Sequence, residues 1–144
     1  MSLSRRGALG ALALVALPWG ALAADDALAA AMREAVGDAQ PQDGGITLRV
    51  PATAENGGQV PVTVLVDSPQ TAADHVTAVH LFATRNPTPG IASFRLTPLL
   101  SRAEVQTRIR IAEDQRLVVL AQTSDGRVRR AAAEIRVTTG GCLT

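Results

Sequence analysis

Residues 103–112 read AEVQTRIRIA, and their side chains alternate between apolar and polar along most of the segment. In an extended strand successive side chains point to opposite faces, so Val105, Ile109 and Ile111 share one face. Gln106 and two arginines occupy the other face. One apolar and one polar face is typical of an antiparallel sheet that covers a core on one side and meets water on the other.

The same alternation recurs before and after this segment. It predicts seven strands, bounded by turn residues: 46–50, 60–66, 75–84, 91–99, 103–112, 115–123 and 128–138. Asn56 and Gly57 predict a tight turn with positive φ, which would make the first two strands a hairpin. Seven short strands at this spacing favour an all-β fold, an immunoglobulin-like antiparallel β-sandwich, although the cysteine pair of antibody domains is absent.

One helix is predicted ahead of the strands, in the segment 24–38. Asp25 or Asp26 is expected to cap its first turn, and Gly37 is a natural stop. Between them, strong helix formers place one apolar stripe on the helix surface, made of Leu28, Ala31, Met32 and Ala35. The segment therefore predicts one amphipathic helix that packs on the sandwich.

Residues 1–23 have the organisation of a signal peptide. Arg5 and Arg6 precede an apolar run at 7–17, and the segment ends in small residues, so we expect cleavage after Ala23. Adjacent arginines predict the twin-arginine export route, with ordinary Sec export as the alternative. The apolar run is too short to span a bilayer, and we expect an exported, soluble, periplasmic protein without a membrane anchor.

Composition excludes several classes of function. Aromatic residues make up 2% of the chain, so stacking platforms for nucleic-acid bases are missing. The chain has no lysine, which removes lysine-based nucleophilic chemistry. Without the leader, twelve arginines face thirteen acidic residues, a net charge of −1 that predicts no nucleic-acid binding.

The charge is unevenly distributed along the chain. Residues 24–101 hold four arginines and eight acidic residues, whereas residues 102–144 hold eight arginines and five acidic residues. A basic neighbourhood would attract anions and lower the pKa of a nearby thiol. Alternatively, these arginines simply lie on solvated faces of strands.

Cys142 is the only cysteine, and it follows Gly140 and Gly141 in the segment 140–144, beyond the predicted sandwich at 39–139. Cys142 is the fifth residue beyond Val137, and five residues can extend roughly 17 Å at about 3.4 Å per residue. Two glycines add conformational freedom, so the segment is predicted to be a hinged arm that carries a thiol into a partner's pocket. An incidental exposed cysteine, or one that forms an intermolecular disulfide, is the alternative.

Other candidate sites are weak. His75 and His80 are five residues apart on a predicted strand, so they face opposite sides and are poorly placed to share a metal. A single cysteine excludes a CxxC redox pair and a cysteine-based zinc site. We therefore predict no metal and no cofactor, and Cys142 is the single candidate for covalent chemistry.

Short segments spread over most of the chain after the leader resemble the SoxY family, in order: 54–57, 60–62, 66–69, 80–83, 86–87, 107–110, 124–126 and 140–142. The resemblance implies a periplasmic sulfur carrier of thiosulfate oxidation, with Cys142 as the covalent carrier site. It also implies a heterodimer with a SoxZ-like subunit and transient contact with enzymes like the cytochrome SoxXA, the hydrolase SoxB and the dehydrogenase SoxCD. The carrier itself would catalyse no reaction.

The last two residues of the chain depart from the family pattern. The family usually ends Gly-Gly-Cys-Gly-Gly, whereas Leu143 and Thr144 follow the cysteine here. We expect this bulkier tip to restrict which partner enzymes accept the arm. The alternative function is a periplasmic β-sandwich adaptor or structural subunit that carries no sulfur.

Overall fold

One helix and nine strands make up the part of the chain that the computed structural model describes, residues 19–139. The helix, α1, spans Trp19–Val36. The strands are β1 (Gln42–Asp43), β2 (Ile46–Arg49), β3 (Thr53–Asn56), β4 (Val60–Val66), β5 (Val76–Ala83), β6 (Gly90–Arg95), β7 (Ala103–Ile109), β8 (Gln115–Thr123) and β9 (Val128–Thr139).

The strands form two sheets that face each other. The larger sheet has the order β1-β9-β8-β5-β6, with β3 also paired to β9, and the smaller sheet has the order β2-β4-β7. Alternate side chains of β4 and β7 point inward, and the four valines at alternate positions of β4 are buried. They pack in one apolar cluster with Val79, Leu81, Leu117 and Val119 of the larger sheet. The predicted immunoglobulin-like β-sandwich with one helix is confirmed.

All seven predicted strands are present, and two more were not predicted. β1 and β3 have two and four residues and at most one apolar side chain each, so they show no alternation, unlike β2, which has Ile46 and Leu48. Both pair in parallel with β9, through Gln42 opposite Arg129 and Thr53 opposite Arg136. The sheet is therefore antiparallel except along one edge of β9.

The predicted hairpin is half correct. β2 and β4 do pair in antiparallel fashion, with Ile46 opposite Val66. However, the chain between them crosses to the other sheet to form β3, so no tight turn joins the two. Asn56 and Gly57 do not have positive φ. Instead the Asn56 side-chain oxygen accepts a hydrogen bond from the Gly58 N–H at 2.8 Å, which closes an Asx turn into β4.

The helix covers the outer face of the larger sheet. The predicted stripe of Leu28, Ala31, Met32 and Ala35 packs on Phe82, Val118, Leu120 and Val128, so β5 and β8 are buried on both faces. Gly37 ends the helix as predicted, with φ of +69° and its N–H bonded to the Arg33 carbonyl. The predicted caps are wrong, because the helix already begins at Trp19 and both Asp25 and Asp26 lie inside it. No helix among residues 19–139 is long and apolar enough to cross a membrane.

We predict that Leu117→Ala lowers the free energy of unfolding by about 2–5 kcal/mol. Leu117 is 0% exposed between the sheets, and truncation leaves a cavity there. Leu99 is 92% exposed, so Leu99→Ala is the matched control and is expected to change stability by less than about 0.5 kcal/mol. Urea unfolding measures both. Equal effects of the two substitutions would show that the core is not where the fold places it.

Candidate functional site

The predicted carrier residues Cys142, Gly140 and Gly141 lie outside the described residues. What the structure describes is the strand that leads to them, since β9 is paired as far as Thr139. Cys142 is the third residue after Thr139, so three residues lead from the paired strand to the thiol. Their extended length is about 10 Å at about 3.4 Å per residue, shorter than the reach counted from Val137.

On one edge, the end of β9 is held by β3. The parallel ladder places Thr53 opposite Arg136 and Asn56 opposite Thr139. The Arg136 N–H donates to the Ala52 carbonyl at 2.9 Å, and the Thr138 hydroxyl donates to the Glu55 carbonyl at 3.2 Å. Backbone and side chain together therefore secure this edge.

On the other edge of β9, a side chain replaces the backbone of β8 as hydrogen-bond acceptor beyond the point where β8 begins. The first residue of β8, Gln115, pairs with Ile135. One residue earlier, the Asp114 carboxylate accepts a hydrogen bond from the Val137 N–H at 2.7 Å. The carboxylate oxygen thus extends the hydrogen bonding of β9 by one step beyond the β8 backbone.

Two amide side chains fix the loop that carries Asp114. The Asn86 amide donates to the Arg110 carbonyl at 2.8 Å, and its oxygen accepts from the Ala112 N–H and from the Gln115 side chain. Gln115 is 4% exposed, and its oxygen accepts from the Arg85 N–H at 2.7 Å. The turn between β5 and β6 is therefore tied to the turn between β7 and β8. Both Asn86 and Asp114 lie between predicted strands, 75–84 and 91–99 for Asn86 and 103–112 and 115–123 for Asp114, so the sequence indicates only a turn at each.

Among residues 102–139, four of the eight arginines lie within 4.0 Å of a carboxylate, namely Arg102, Arg116, Arg127 and Arg130. Arg116 lies 2.7 Å from Glu134 across β8 and β9, and Arg130 forms a two-pronged pair with Asp43 at 2.7 and 3.1 Å. Hydrogen bonding to Arg130, followed by its charge, holds the pKa of Asp43 below its usual value. These side chains lie on solvated strand faces, which agrees with the alternative interpretation of the basic C-terminal half.

The turn between β8 and β9 has its own charged contact. The pKa of Asp125 falls to about 2, first because the Thr123 hydroxyl donates to its carboxylate and then because the Arg127 backbone N–H does so. The Arg127 side chain also donates to this carboxylate. Asp125 therefore stays ionised at neutral pH and has a structural role in the turn.

Two clefts flank the end of β9. The larger, about 600 Å³, lies beside the first part of α1 and is lined by arginines and carboxylates in equal number: Asp25, Arg85, Asp114, Arg116, Glu134 and Arg136. The smaller, about 370 Å³, is lined by Arg85, Ala112, Glu113, Asp114 and Val137. Arg136 has no carboxylate within 4.0 Å among residues 19–139. The surroundings of the strand end are thus charged but close to neutral overall.

The two histidines lie apart from the end of β9. His80 is 8% exposed, and its ring nitrogens contact the Ser93 hydroxyl at 2.7 Å and the Gln122 side-chain oxygen at 3.0 Å. It lies on the floor of a cleft of about 630 Å³ between α1 and β6. His75 precedes β5, and its ring contacts the Thr71 carbonyl. Both rings are therefore engaged in contacts within the fold.

Within residues 19–139, no group of three or more His, Cys, Asp or Glu side chains is placed to hold a metal ion. In the described structure the two clefts beside the end of β9 are lined by arginines, carboxylates, one amide, one threonine and aliphatic side chains. What this region can do is fix the point from which the last residues of the chain extend.

Comparison with known proteins gives one family match. Residues 32–142 match the family model of the sulfur oxidation protein SoxY. The structure of the sulfur carrier protein SoxY from Chlorobium limicola f thiosulfatophilum is 34% identical, with a TM-score of 0.67, over 80% of this chain and 99% of that chain. No curated protein matches the chain.

More distant structures share the fold alone. Superoxide reductase from Ignicoccus hospitalis is 16% identical with a TM-score of 0.58, over 65% of this chain and 80% of that chain. Superoxide reductase from Nanoarchaeum equitans is 10% identical with a TM-score of 0.55, over 67% and 98%. At this level of identity the likeness concerns the β-sandwich and carries no chemistry to this chain.

We predict that Asn86→Ala destabilises the protein by about 1–3 kcal/mol, because it removes partners of the Ala112 N–H and of the buried Gln115 amide. Asn56→Ala is the matched control. It removes one exposed hydrogen bond, to Gly58, and is expected to cost under about 1 kcal/mol. Thermal and urea unfolding compare the two variants, and a smaller loss for Asn86→Ala than for Asn56→Ala would contradict the role of the buried network.

Proposed function

Since the chain belongs to the SoxY family, we propose that it is a periplasmic covalent sulfur carrier in thiosulfate oxidation and that Cys142 holds the sulfur intermediates. The observation that carries this proposal is the family match itself, which runs from residue 32 to residue 142 and so includes the cysteine. The solved SoxY structure, described as a sulfur carrier protein, supports the same role for this chain.

The chemistry proposed for Cys142 is the formation of a sulfur–sulfur bond. A thiolate and thiosulfate are both nucleophiles, so joining them releases two electrons that an oxidising enzyme must accept. The carrier has no cofactor in this proposal, and we assign that step to a partner like the cytochrome SoxXA. Later removal of sulfate and oxidation of the remaining sulfur are assigned to partners like SoxB and SoxCD. The chain would catalyse none of these steps itself.

The proposal gives separate tasks to the sandwich and to the last five residues. The sandwich provides a fixed end of β9, held by β3 and by Asp114. Gly140 and Gly141 serve as the hinge, because residues without a Cβ turn freely and pass through narrow openings. Cys142 is then presented to one enzyme after another, while a SoxZ-like subunit, the partner that the family implies, binds the sandwich.

Export completes the proposal. Residues 1–23 act as a leader, and the adjacent Arg5 and Arg6 favour the twin-arginine route over Sec. The first residues of α1 overlap this leader, so the helix of the exported chain would begin close to Ala24. The apolar stripe that packs on the sheet starts at Leu28 and is retained after cleavage.

We predict that Cys142→Ser abolishes the uptake of sulfur. Incubated with thiosulfate and the partner enzymes, the mature wild-type chain is expected to gain sulfur-containing mass that a reductant removes, measured by intact-mass spectrometry. Thr144→Ser is the matched control, because it changes a neighbouring residue and leaves the thiol. An adduct that persists on Cys142→Ser, or its absence from wild type with enzymes that load another SoxY, would favour the adaptor function instead.

We further predict that the tip of the arm selects among partner enzymes. Leu143→Gly with Thr144→Gly gives the ending usual in the family and removes bulk that a narrow channel must admit. Turnover is expected to rise severalfold with at least one partner enzyme, because steric exclusion by one or two side chains is worth about 1–3 kcal/mol. Steady-state kinetics with each enzyme in turn make the comparison. Equal turnover with every enzyme would show that the tip does not restrict access.

A further inference from the structure

We propose that Asp114 is the positioning residue of the carrier arm, an inference that rests on the proposed function. Its carboxylate accepts the Val137 N–H at 2.7 Å, five residues before Cys142. Asp114, Asn86 and Gln115 together are named here the Asp114 clamp. The clamp holds the β8-side edge of β9 at Val137, whereas β3 pairs the other edge as far as Thr139.

The need for a clamp follows from the register of the strands. β8 pairs with β9 from Gln122 opposite Val128 to Gln115 opposite Ile135. Among the described residues, no backbone of β8 lies beyond that pair to receive the Val137 N–H. A strand end held along one edge alone frays more readily, and the Asp114 side chain supplies the second edge.

The loop that carries Asp114 is held by hydrogen bonds of its neighbours. Gln115, its neighbour in the chain, is buried and bonded to both Asn86 and the Arg85 N–H. Asn86 also holds the Ala112 N–H and the Arg110 carbonyl. Since both neighbouring turns are tied together, the backbone at Asp114 is held beside β9, where its carboxylate accepts the Val137 N–H.

The clamp changes the reach of the arm. With β9 paired to Thr139, three residues lead to Cys142, an extended length of about 10 Å. If loss of the clamp let β9 fray back to Ile135 along both edges, seven residues would lead to Cys142, about 24 Å. A tether more than twice as long spreads the thiol over a volume roughly ten times larger and lowers its effective concentration at a docked enzyme.

The first test measures the strand end without any sulfur chemistry. Asp114→Ala removes the acceptor, and we expect hydrogen exchange of the Val137 amide to rise about fivefold, the change that loss of one net hydrogen bond produces. Asp114→Asn keeps an acceptor oxygen and is expected to restore protection. Glu113→Ala removes the adjacent exposed carboxylate, which contacts Arg85 and not Val137, and is expected to have no effect.

The second test measures reach directly. Cys142 accepts one spin label, and Gln106→Cys, on the exposed face of β7, accepts a second. Double electron–electron resonance spectroscopy then gives the distribution of distances between the two spin labels. We expect this distribution to broaden in Asp114→Ala and to remain as in wild type in Asp114→Asn and Glu113→Ala.

The third test connects the clamp to function. Loading of Cys142 by the partner enzymes is expected to lose about threefold to tenfold in kcat/KM in Asp114→Ala, with recovery in Asp114→Asn. Unchanged exchange and distances in Asp114→Ala would overturn the clamp, and changed exchange with unchanged loading would overturn its positioning role. Should the wild-type chain take up no sulfur at all, the proposed function fails, whereas the exchange and distance measurements still decide whether Asp114 fixes the end of β9.

Discussion

Each N–H and C=O along a buried strand needs a hydrogen-bond partner, and the twelve residues of β9 obtain theirs from four different segments. β8 covers one edge as far as Ile135, and the Asp114 carboxylate adds one further bond. β1 and β3 cover the other edge, at Arg129 and Arg136 respectively. Between β1 and β3 the chain forms β2, which belongs to the other sheet. The segment 42–56 therefore joins the two sheets, because its two ends supply hydrogen-bond partners to β9 and its middle pairs with β4.

The larger sheet has an additional requirement, because both of its faces are covered near its centre. The smaller sheet packs on one face and α1 packs on the other. This explains why β5 and residues 117–121 of β8 are buried at nearly every position, whereas burial alternates along much of β4 and β7. Where α1 leaves the outer face of β5 and β6 uncovered, polar residues return, and His80 is bonded there to Ser93 and Gln122.

The sequence was sufficient for the features that depend on local periodicity. The predicted strands were recognised from their apolar patterns, including the four residues of β2, and the stripe on α1 from its helical spacing. β1 and β3 were missed because they contain at most one apolar residue each, and their pairing with β9 is set by residues about eighty positions away. The same distance in sequence explains why the predicted hairpin at Asn56 was wrong. A turn was correctly predicted there, but the strand that it ends, β3, pairs with β9 in the other sheet.

The candidate site divides in the same way. Cys142 and the preceding glycines can be found from the sequence, because the chain has a single cysteine and two consecutive glycines precede it. The residues that hold the strand leading to them cannot. Asp114 and Asn86 have the composition of ordinary turn residues, and their roles depend on bonds to Val137 and to the buried Gln115. A carboxylate used as a backbone acceptor leaves no pattern in the sequence around it.

A carrier that serves several enzymes has two opposing requirements. A longer free segment enters deeper sites, whereas a shorter one keeps the thiol at higher effective concentration near an enzyme bound to the sandwich. In the function proposed above, the number of residues between the last paired residue of β9, Thr139, and Cys142 sets this balance. Because β3 holds one edge of the strand end and Asp114 the other, the proposal implies that substitutions at turn residues far from Cys142 in sequence change the reach of the arm without changing its length.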